Sequence, residues 1–516
     1  HDAFIAGHAS NSVAVAVGMA RARDMLGEDY RVLALIGDGA LTGGLAYEGL
    51  STAGQSRGQL LVILNDNGMS ITKNVGGVAE HLARQRLKPQ YLTFKKYYRK
   101  VMNATWFGRK IYRVTHRLKK AVKESLLPSS LFENMGFTYL GPVNGHDLRE
   151  LTEILRYARD LKEPVLLHVR TIKGKDFTPA EENPDAYHGV SPFDPETGEP
   201  LKQGRASFSS VFGREVARLA REDPRVCAVT AAMQTGTGLD YFALQFPDRF
   251  FDVGIAEGCA VSMAAGMAKQ GAVPVVAVYS TFLQRAYDML LHDVALDRLH
   301  VVLAVDRAGL VGEDGETHQG VFDVSYLNSV PGMRVYAPAN FAELKAMLEE
   351  AVLRWDGPAA VRYPRGGEGE YREDSGRAPA AVLRRGSHIT LVSYGVEIND
   401  VLQAARLLEE RGVEAEVVKL NIITPLDAAP VLDSVRRTGA LLVAEDSVSA
   451  GSVGERLACA LEQAGISARV ALCSSGDTFT PHGSVGELKR LLELDGAGLA
   501  QRAMEVLRFD KTAAGC

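Results

Sequence analysis

The sequence lacks any uninterrupted apolar run of about 18 residues, the length that a membrane-spanning helix requires. It also has no signal-peptide pattern. Its five cysteines are scattered without a CxxC pair, which argues against a disulfide framework or zinc site and predicts reduced thiols in a cytoplasmic protein. Neither charge sign dominates, because 58 Lys and Arg face 63 Asp and Glu and leave a net charge of −5. Such a chain has no general attraction to nucleic acid or to an anionic membrane.

The 516 residues exceed what one hydrophobic core can organise, so several domains are expected. In the first third, Val32–Ile36 and Leu60–Leu64 are continuous apolar runs typical of buried parallel strands. Between them, Leu45–Ala53 suits a crossover helix. The three segments predict a βαβ unit, and ligands bind such sheets at the carboxyl ends of the strands.

Two further regions repeat this alternation of strand-like and helical segments. A Pro-, Gly- and Asp-rich link at 191–204 precedes one region, and the polar residues 366–377 precede the other. We therefore predict an α/β fold of three consecutive domains with mostly parallel sheets, at residues 1–200, 205–370 and 380–516. The clearest strands of the second and third domains are predicted at Val273–Tyr279, Val301–Asp306, Ile389–Gly395, Ala415–Leu420 and Ala440–Asp446.

A basic segment, residues 84–123, interrupts the first domain with fourteen Lys or Arg and no Asp or Glu. It lies within a predicted helical insertion at 79–127. Aromatic residues interleaved with these charges are compatible with a nucleic-acid or membrane-surface patch. No recognised nucleic-acid motif accompanies them, and the rest of the chain is acidic. A solvated helical insertion is therefore the favoured interpretation.

Polar residues follow both strands of the predicted βαβ unit. Gly37, Asp38 and Gly39 end the first strand, and Asn67 follows the second, 29 positions after Asp38. Carboxylate and amide oxygens are ligands that Mg²⁺ prefers, usually with phosphate oxygens completing its octahedron. The glycines permit tight turns and close approach of the backbone to a diphosphate. The pattern predicts a magnesium and diphosphate site at this edge of the sheet.

Distinctive motifs occur along almost the whole chain. In the first third they are GHASNSVAVAVGMA (Gly7–Ala20), IGDGALTGG (Ile36–Gly44) and LNDNGMSITKNVG (Leu64–Gly76). Further along they are Asp252–Val261, Tyr279–Asp288, Asp306–Asp323, Arg362–Gly366, Asn421–Asp427 and Val443–Glu455. The first set resembles the cofactor domain, and the second set the second and third domains, of the 1-deoxy-D-xylulose-5-phosphate synthases, a family of transketolase-like enzymes. The resemblance implies a homodimeric transferase that needs thiamine diphosphate and Mg²⁺.

The resemblance also assigns residues to the cofactor. It implies that Mg²⁺ is bound by Asp38, Asn67 and the backbone carbonyl of Met69. His8 is implied to lie near the diphosphate and the reacting carbon. Glu257 is implied to hydrogen-bond N1′ of the aminopyrimidine, which favours the imino tautomer whose N4′ removes the C2 proton.

The remaining matched residues suit one carboxylate and one phosphomonoester, because arginine offers a planar fork of donors for phosphate oxygens. Tyr279, Arg307 and Arg365 match positions that bind the acceptor's phosphate. Phe282 matches the aromatic residue that stacks on the pyrimidine. Arg285 and Asp314 match a pair that responds to the pyruvate-derived adduct and anchors a loop. His318 matches a histidine that contacts the substrate. Lys173 and His188 match two residues of a mobile segment that closes over the site.

The reaction implied by the resemblance joins pyruvate and glyceraldehyde 3-phosphate, giving 1-deoxy-D-xylulose 5-phosphate and CO₂. Two alternatives stay open: a transketolase-type ketol transferase, and a catalytically impaired fragment that acts as a binding protein. The presence of Glu257, Asp38 and Asn67 argues against the second. The family pattern begins upstream of His1 with a substrate-contacting histidine, so an N-terminally truncated chain is expected. The loop IKGKD also ends at Asp176 where IKGKG is commoner, and the acidic side chain is expected to alter its closure.

Overall fold

The computed structural model describes residues 3–55, 58–69, 131–190, 192–201, 206–376 and 378–508. The basic segment, predicted as a helical insertion, lies outside the described residues. The chain divides into two compact units, His1–Lys202 and Gln203–Cys516. In the part of the chain that the structure describes, no helix is both long enough and apolar enough to cross a membrane.

The first unit contains a four-stranded parallel sheet of strand order β1-β2-β4-β3. Its strands are β1 (Leu33–Gly37), β2 (Leu61–Asp66), β3 (Thr138–Asn144) and β4 (Val165–Arg170). The helices described in this unit are Ser12–Leu26, Gly44–Gln55, Leu131–Asn134, Leu148–Arg159 and Thr178–Glu182. The predicted βαβ unit is confirmed, with shifts of a residue or two at the ends of its elements.

Strand β1 is half buried, which differs from the predicted fully buried strand. Leu33 and Leu35 are 53% and 67% exposed, whereas Ala34 and Ile36 face the core. The strand lies at the edge of its sheet, and the described residues cover only one of its faces. A continuous apolar run does not report which face is covered, because both faces carry the same kind of side chain.

The second unit contains two sheets. Its strands are β5 (Val226–Thr230), β6 (Phe250–Asp252), β7 (Val273–Tyr279), β8 (Val302–Asp306), β9 (Arg334–Tyr336), β10 (Ala359–Arg362), β11 (Ala380–Arg384), β12 (Ile389–Tyr394), β13 (Ala415–Leu420), β14 (Ile422–Thr424), β15 (Ala440–Ala444) and β16 (Arg469–Cys473). The α-helices described in this unit are Phe208–Glu222, Asp240–Gln245, Glu257–Lys269, Ser280–Leu283, Tyr287–Met289, Asp323–Asn328, Phe341–Glu349, Ile398–Glu409, Ala429–Thr438, Val453–Gln463, Val485–Leu491 and Gly496–Arg508.

The larger sheet has the order β14-β9-β10-β8-β7-β5-β6 and is parallel except where β14 pairs with β9. The smaller sheet has the order β11-β13-β12-β15-β16 and is parallel except where β11 pairs with β13. Strand β14 follows β13 in sequence yet belongs to the larger sheet. The C-terminal region therefore completes the sheet of the preceding region, a crossing that the sequence pattern does not predict.

Buried ion pairs join the two sheets of the second unit. Arg362, at the end of β10, donates to Asp323 at 2.9 Å and to Asp446 at 3.1 Å. Lys419 on β13 pairs with Glu343 at 3.0 Å, and neither side chain is exposed. Because removing one partner leaves a buried charge without compensation, such a loss costs about 3–5 kcal/mol. The pair of Arg362 with Asp446 links the carboxyl end of β10 to the smaller sheet.

Candidate active site

The two strand ends of the predicted magnesium site meet at the carboxyl edge of the first sheet. The Asp38 amide donates to the Asn65 carbonyl at 3.2 Å. Asp38 is buried, and its Oδ2 accepts from the Gly68 amide at 2.8 Å. The Asn67 side-chain oxygen accepts from the Met69 amide at 2.9 Å. The Asp38 carboxylate therefore contacts the loop that carries Asn67, and carboxylate and amide oxygens are hard donors that suit Mg²⁺.

The turn that carries His8 lies beside the same edge. Ser10 adopts a φ of 78°, and its hydroxyl donates to the Ala40 carbonyl at 2.7 Å. Ala40 follows Gly39 in the turn after Asp38. The half-buried His8 is therefore anchored next to the turn that contains the predicted metal ligand.

Lys173 and His188 are neighbours in the first unit, with Lys173 Nζ 3.0 Å from His188 Nδ1. Burial lowers the pKa of Lys173, while the charges of Asp185 and Asp38 oppose that shift. Burial and then the Lys173 charge lower the pKa of His188. The pKa of each side chain is thus lowered, and Lys173 lies within electrostatic range of Asp38.

Asp176 occupies a backbone position that glycine adopts most easily, with a φ of 70°. Its amide donates to Glu181 Oε1 at 2.7 Å, and its carboxylate accepts from Lys175 Nζ at 2.7 Å. The exposed Lys175 pair is weak, but the backbone bond satisfies a donor within the turn. Side-chain bonds thus support at Asp176 a backbone conformation that glycine adopts most easily.

A buried hydrogen-bond chain beside the predicted metal ligands goes beyond what the motifs indicate. The Tyr139 hydroxyl lies 2.7 Å from His168 Nδ1, and His168 Nε2 lies 2.7 Å from Asp66 Oδ2. His168 and Asp66 are buried, and Asp66 directly precedes Asn67. The chain fixes the end of β2 and with it the backbone that carries Asn67. Its signal in the sequence is a polar residue within each of two apolar strands.

In the second unit, the predicted site residues follow the carboxyl ends of adjacent strands of the larger sheet. The chain passes from β6 to β7 across β5, so the crevice between β5 and β7 is a topological switch point, where open α/β sheets bind ligands. The residues at these ends are Arg365 after β10, Arg307 after β8, Tyr279 at the end of β7, Gly236 after β5 and Glu257 after β6.

Glu257 begins the helix Glu257–Lys269 and is 3% exposed. Burial raises the pKa of its carboxyl, and the charge of Arg285 opposes the shift. Arg285 Nη1 lies 3.5 Å from Glu257 Oε2. A buried carboxyl whose pKa is raised can hold or share a proton, as a group that exchanges protons with a cofactor must. Arg285, predicted to act with Asp314, contacts Glu257 in this structure.

Three aromatic side chains line the same crevice. The Phe282 ring stacks on the Tyr279 ring with centroids 5.8 Å apart, and it meets the His318 ring edge-on at 5.5 Å. Burial lowers the pKa of His318, although the charge of Asp314 opposes the shift. The Thr317 hydroxyl lies 2.8 Å from His318 Nδ1 and orients the imidazole. The crevice therefore presents flat apolar surfaces together with an imidazole biased toward its neutral form.

Arg307 is held from several sides. Its guanidinium lies 3.7 Å from the centroid of the Tyr279 ring. Arg307 Nη1 donates to the Gly236 carbonyl at 2.9 Å and to Asp306 Oδ1 at 3.1 Å. Its backbone φ of 59° lies in the left-handed region, which is uncommon for a long side chain. These constraints orient the guanidinium before any ligand binds.

Arg365 pairs with Asp314 at 2.8 Å, and both side chains are partly exposed. Arg365 and Arg307 border one cavity of about 510 Å³. The helix Phe208–Glu222, which starts with a reciprocal capping box between Ser207 and Ser210, contributes another wall. Two arginines at neighbouring strand ends thus face a cavity that is large enough for a small phosphorylated molecule.

Glycines allow the loop after β5 to close this cavity. A Cβ at Gly236 would lie 1.7 Å from the Tyr279 hydroxyl, and one at Gly238 would lie 2.2 Å from the Ser209 carbonyl. Neither position has space for a side chain. The sequence signal for this loop is the TGTG motif that follows a strand. This motif was not predicted to belong to the site. Asp306, which contacts Arg307, was also missed.

The predicted site residues therefore fall into two groups, one in each unit. The first unit gathers His8, Gly37, Asp38, Gly39, Asn67, Met69, Lys173 and His188. The second unit gathers Glu257, Tyr279, Phe282, Arg285, Arg307, Asp314, His318 and Arg365.

Known protein families match three successive parts of the chain. The family described as 1-deoxy-D-xylulose-5-phosphate synthase matches residues 1–171. The pyrimidine-binding domain of transketolase matches residues 205–368, and the transketolase C-terminal domain matches residues 378–499. The chain is thus an enzyme of the transketolase-like class of transferases.

Curated relatives narrow this class. The chain is 47% identical over 513 residues to the 1-deoxy-D-xylulose-5-phosphate synthase of Symbiobacterium thermophilum, which covers 98% of this chain and 79% of the relative. It is 48% identical over 491 residues to the synthase of Desulforudis audaxviator, covering 94% and 77%. The chain belongs to the 1-deoxy-D-xylulose-5-phosphate synthase family, and membership implies the use of thiamine diphosphate.

Solved structures share the fold. A split-gene transketolase, described as an inactive β4 tetramer, matches with a TM-score of 0.52 and 27% identity, covering 59% of this chain and 99% of that one. Transketolase from Campylobacter jejuni matches with a TM-score of 0.51 and 18% identity, covering 96% and 81%. The predicted transketolase-like α/β fold with mostly parallel sheets is confirmed.

Proposed function

We propose that this chain decarboxylates pyruvate and joins the remaining two-carbon unit to glyceraldehyde 3-phosphate, giving 1-deoxy-D-xylulose 5-phosphate and CO₂. The observation that carries this proposal is the pair of arginines, Arg307 and Arg365, at neighbouring strand ends bordering one cavity. A planar guanidinium binds phosphate oxygens through two parallel donors. A phosphorylated aldehyde is therefore the acceptor that this cavity favours.

The residues of the first unit would suit a divalent ion and the diphosphate of a cofactor. Asp38, Asn67 and the backbone carbonyl of Met69 would hold Mg²⁺, because all three offer hard oxygen donors. His8 would lie beside the diphosphate, since its turn is anchored to the turn after Asp38. Thiamine diphosphate supplies the carbanion chemistry when bound.

The second unit supplies proton control and an apolar platform. Glu257 would hydrogen-bond N1′ of the aminopyrimidine and share a proton with that atom, which its raised pKa favours. Phe282 would stack on the pyrimidine. The charge of Arg285 would favour the ionised form of Glu257, so that part of the carboxyl stays deprotonated. His318, biased toward its neutral form, would exchange a hydrogen bond with the substrate without adding a charge.

Arg307→Ala and Arg365→Ala should each lower kcat/KM for glyceraldehyde 3-phosphate by roughly 30- to 1,000-fold, mainly through KM. This range corresponds to a charge-assisted contact of about 2–4 kcal/mol, with a larger effect expected at Arg307, which is 18% exposed, than at Arg365, which is 40% exposed. Pyruvate carries no phosphate, so formation of its adduct with the cofactor should change little. Steady-state kinetics with varied acceptor, together with a stopped-flow measurement of adduct formation, checks both halves of this prediction.

Arg225→Ala provides the matched control, because Arg225 is exposed, pairs with Asp223 and precedes β5 at the opposite edge of the sheet. It should leave both measurements unchanged. Unphosphorylated glyceraldehyde should be used about equally well by the parent and by all three variants. If the two site variants lose adduct formation but keep their KM for the phosphorylated aldehyde, the phosphate assignment is wrong. Ketose cleavage without pyruvate decarboxylation would instead favour a transketolase-type ketol transferase.

A further inference from the structure

Asp306, the last residue of β8, is completely buried beneath the cavity that Arg307 borders. Its Oδ1 accepts from Arg307 Nη1 at 3.1 Å, and the Ser209 side chain lies near enough to lower the pKa of the carboxyl. Its Oδ2 has no hydrogen-bond partner among the described residues. A carboxylate that is out of reach of water and only partly hydrogen-bonded is costly to keep charged. Its charge depends on the one cation that it touches.

The groups that face Asp306 come from each neighbouring element. Tyr279 on β7 and Tyr363 after β10 present phenol groups, and the charges of Arg307, Arg365 and Asp314 act on the same cluster. The Tyr363 hydroxyl is buried and also has no hydrogen-bond partner among the described residues. The Ser209 hydroxyl approaches from the helix Phe208–Glu222. Arg307 is thus the cation in direct contact with Asp306.

Arg307 cannot easily leave Asp306 when a ligand arrives. Its backbone is fixed in the left-handed region, its guanidinium rests on the Tyr279 ring, and one nitrogen is tied to the Gly236 carbonyl. An anion bound at this guanidinium therefore stands close to the buried Asp306 carboxylate. Two negative charges would then share one cation in a site with little water, which strongly disfavours one of them.

We propose that Asp306 is a positioning residue whose protonation is coupled to the acceptor's phosphate: it pairs with Arg307 as a carboxylate in the empty cavity and takes up a proton when the anion binds. This inference rests on the proposed phosphate site at Arg307. It couples acceptor binding to the uptake of a proton. The net charge of the Arg307–Asp306 pair that the phosphate meets then depends on pH. No bond is made or broken apart from the O–H bond formed with a proton from solvent.

The direction of the pH effect follows from linkage. Burial raises the pKa of Asp306 to about 6, with the charge of Arg307 opposing the shift. A neighbouring anion raises that pKa further, so the complex binds more protons than the free protein above about pH 6. Affinity for the anion should therefore be level below about pH 6, fall as the pH rises, and level off again above the pKa of the complex.

Sulfate is the suitable probe, because it stays a dianion across this pH range. Any proton taken up on binding is therefore bound by the protein and not by the ligand. Sulfate binding to the full chain is measured by calorimetry at about pH 6 and about pH 8, and at about pH 7 in two buffers of different ionisation enthalpy, with ionic strength held constant by chloride. For the parent protein we expect proton uptake near pH 7 and an affinity on the order of 10-fold lower at the higher pH. Asp306→Asn keeps the shape and the oxygen that faces Arg307, and it should bind sulfate equally well at both pH values without proton uptake.

Asp314→Asn is the matched control, since it removes the same charge from the partner of the other arginine, Arg365, where the carboxylate is 33% exposed to water. It should change sulfate affinity by the same factor at both pH values.

Thermal melting tests whether Asp306→Asn folds. A cooperative transition would show that it does. A melting temperature that rises relative to that of the parent between about pH 4 and about pH 6 would show that Asp306 titrates in this range. Sulfate binding by the parent without proton uptake, or the same pH dependence in Asp306→Asn, overturns this inference alone. No sulfate binding by the parent, or unchanged binding in Arg307→Ala, overturns the phosphate site as well.

Discussion

Asp38→Ala is expected to abolish magnesium-dependent binding of thiamine diphosphate, with a loss of affinity of about 100-fold or more. Loss of a supporting contact to a metal ligand already costs up to about 100-fold, and Asp38 is proposed to be a ligand itself. The buried Asp38 carboxylate also accepts from the Gly68 amide at 2.8 Å, next to Asn67. Its removal should therefore disturb both halves of the metal site. Calorimetric titration of the cofactor with and without Mg²⁺ measures the effect.

Two controls separate the loss of a ligand from general damage. Asp160→Ala removes an exposed carboxylate of the same unit that pairs with Arg159 and should leave cofactor affinity unchanged. Asp38→Asn keeps one oxygen donor and should retain weak binding that improves as Mg²⁺ is raised. Unchanged cofactor affinity in Asp38→Ala would show that the GDG turn does not hold the metal.

The strands that the sequence predicts correctly are those with continuous apolar runs and polar ends. The run Val273–Tyr279 forms β7 with the predicted bounds, and Ala415–Leu420 forms β13. Such runs are informative because a parallel strand buried on both faces must be apolar throughout. The predicted domain limits, the roles of the site residues and the homodimer stay predictions, since they depend on contacts and ligands beyond a single local pattern.

The fold features that sequence does not reveal depend on long-range pairing. Strand β14, only three residues long, follows β13 after one residue and yet pairs with β9 in the other sheet. Nothing in its IIT sequence specifies that partner, because short apolar strands fit any sheet edge equally well. The exposure of Leu33 and Leu35 is a similar case, since burial depends on what covers a strand and not on its composition.

The candidate site divides in the same way. Residues within dense motifs, such as Asp38 and Arg307, were found because glycines and polar groups cluster around them at strand ends. Asp306 is a polar residue at the end of β8 and His168 a polar residue inside β4, but a single polar residue does not show which neighbour it contacts. Their importance arises from a contact with Arg307 in one case and with Asp66 in the other. Supporting residues of this kind become visible only when the strands are placed side by side.

Glu257→Gln is expected to bind thiamine diphosphate but to exchange the cofactor's C2 proton at least about 100-fold more slowly than the parent. Removal of a group that transfers or shares a catalytic proton costs about 10²- to 10⁴-fold. Glutamine fills the same space and keeps a hydrogen-bond acceptor, yet it cannot hold a proton at N1′ in the way that a carboxyl can. Deuterium exchange at C2, followed by proton NMR after rapid acid quenching, measures the rate directly and needs neither substrate.

Glu445→Gln is the matched control for the loss of a buried carboxyl. Glu445 is buried at the start of the helix Val453–Gln463, where it accepts from the Val453 and Gly454 amides. Burial raises its pKa as it raises that of Glu257. Each oxygen of the Glu445 carboxylate accepts one of these amides, and the NH₂ group of glutamine cannot accept. Despite the raised pKa, this variant should therefore weaken the end of a helix and lower the melting temperature. It should not slow C2 exchange, because the carboxyl lies in a different sheet region.

Stability should change in the opposite direction in Glu257→Gln. A carboxyl whose pKa is raised by folding stabilises the native state less as the pH rises through that pKa, because the unfolded chain ionises more easily. Glutamine does not titrate, so the cofactor-free variant should melt higher than the parent at neutral pH and lose that advantage in acid. Arg285 loses its contact with the Glu257 carboxylate, but its side chain is 24% exposed and water can solvate the charge. A variant that is more stable and yet exchanges slowly would place Glu257 among residues kept for chemistry at the expense of stability. Exchange at the parent's rate would remove Glu257 from the activation of the cofactor, whatever its effect on melting.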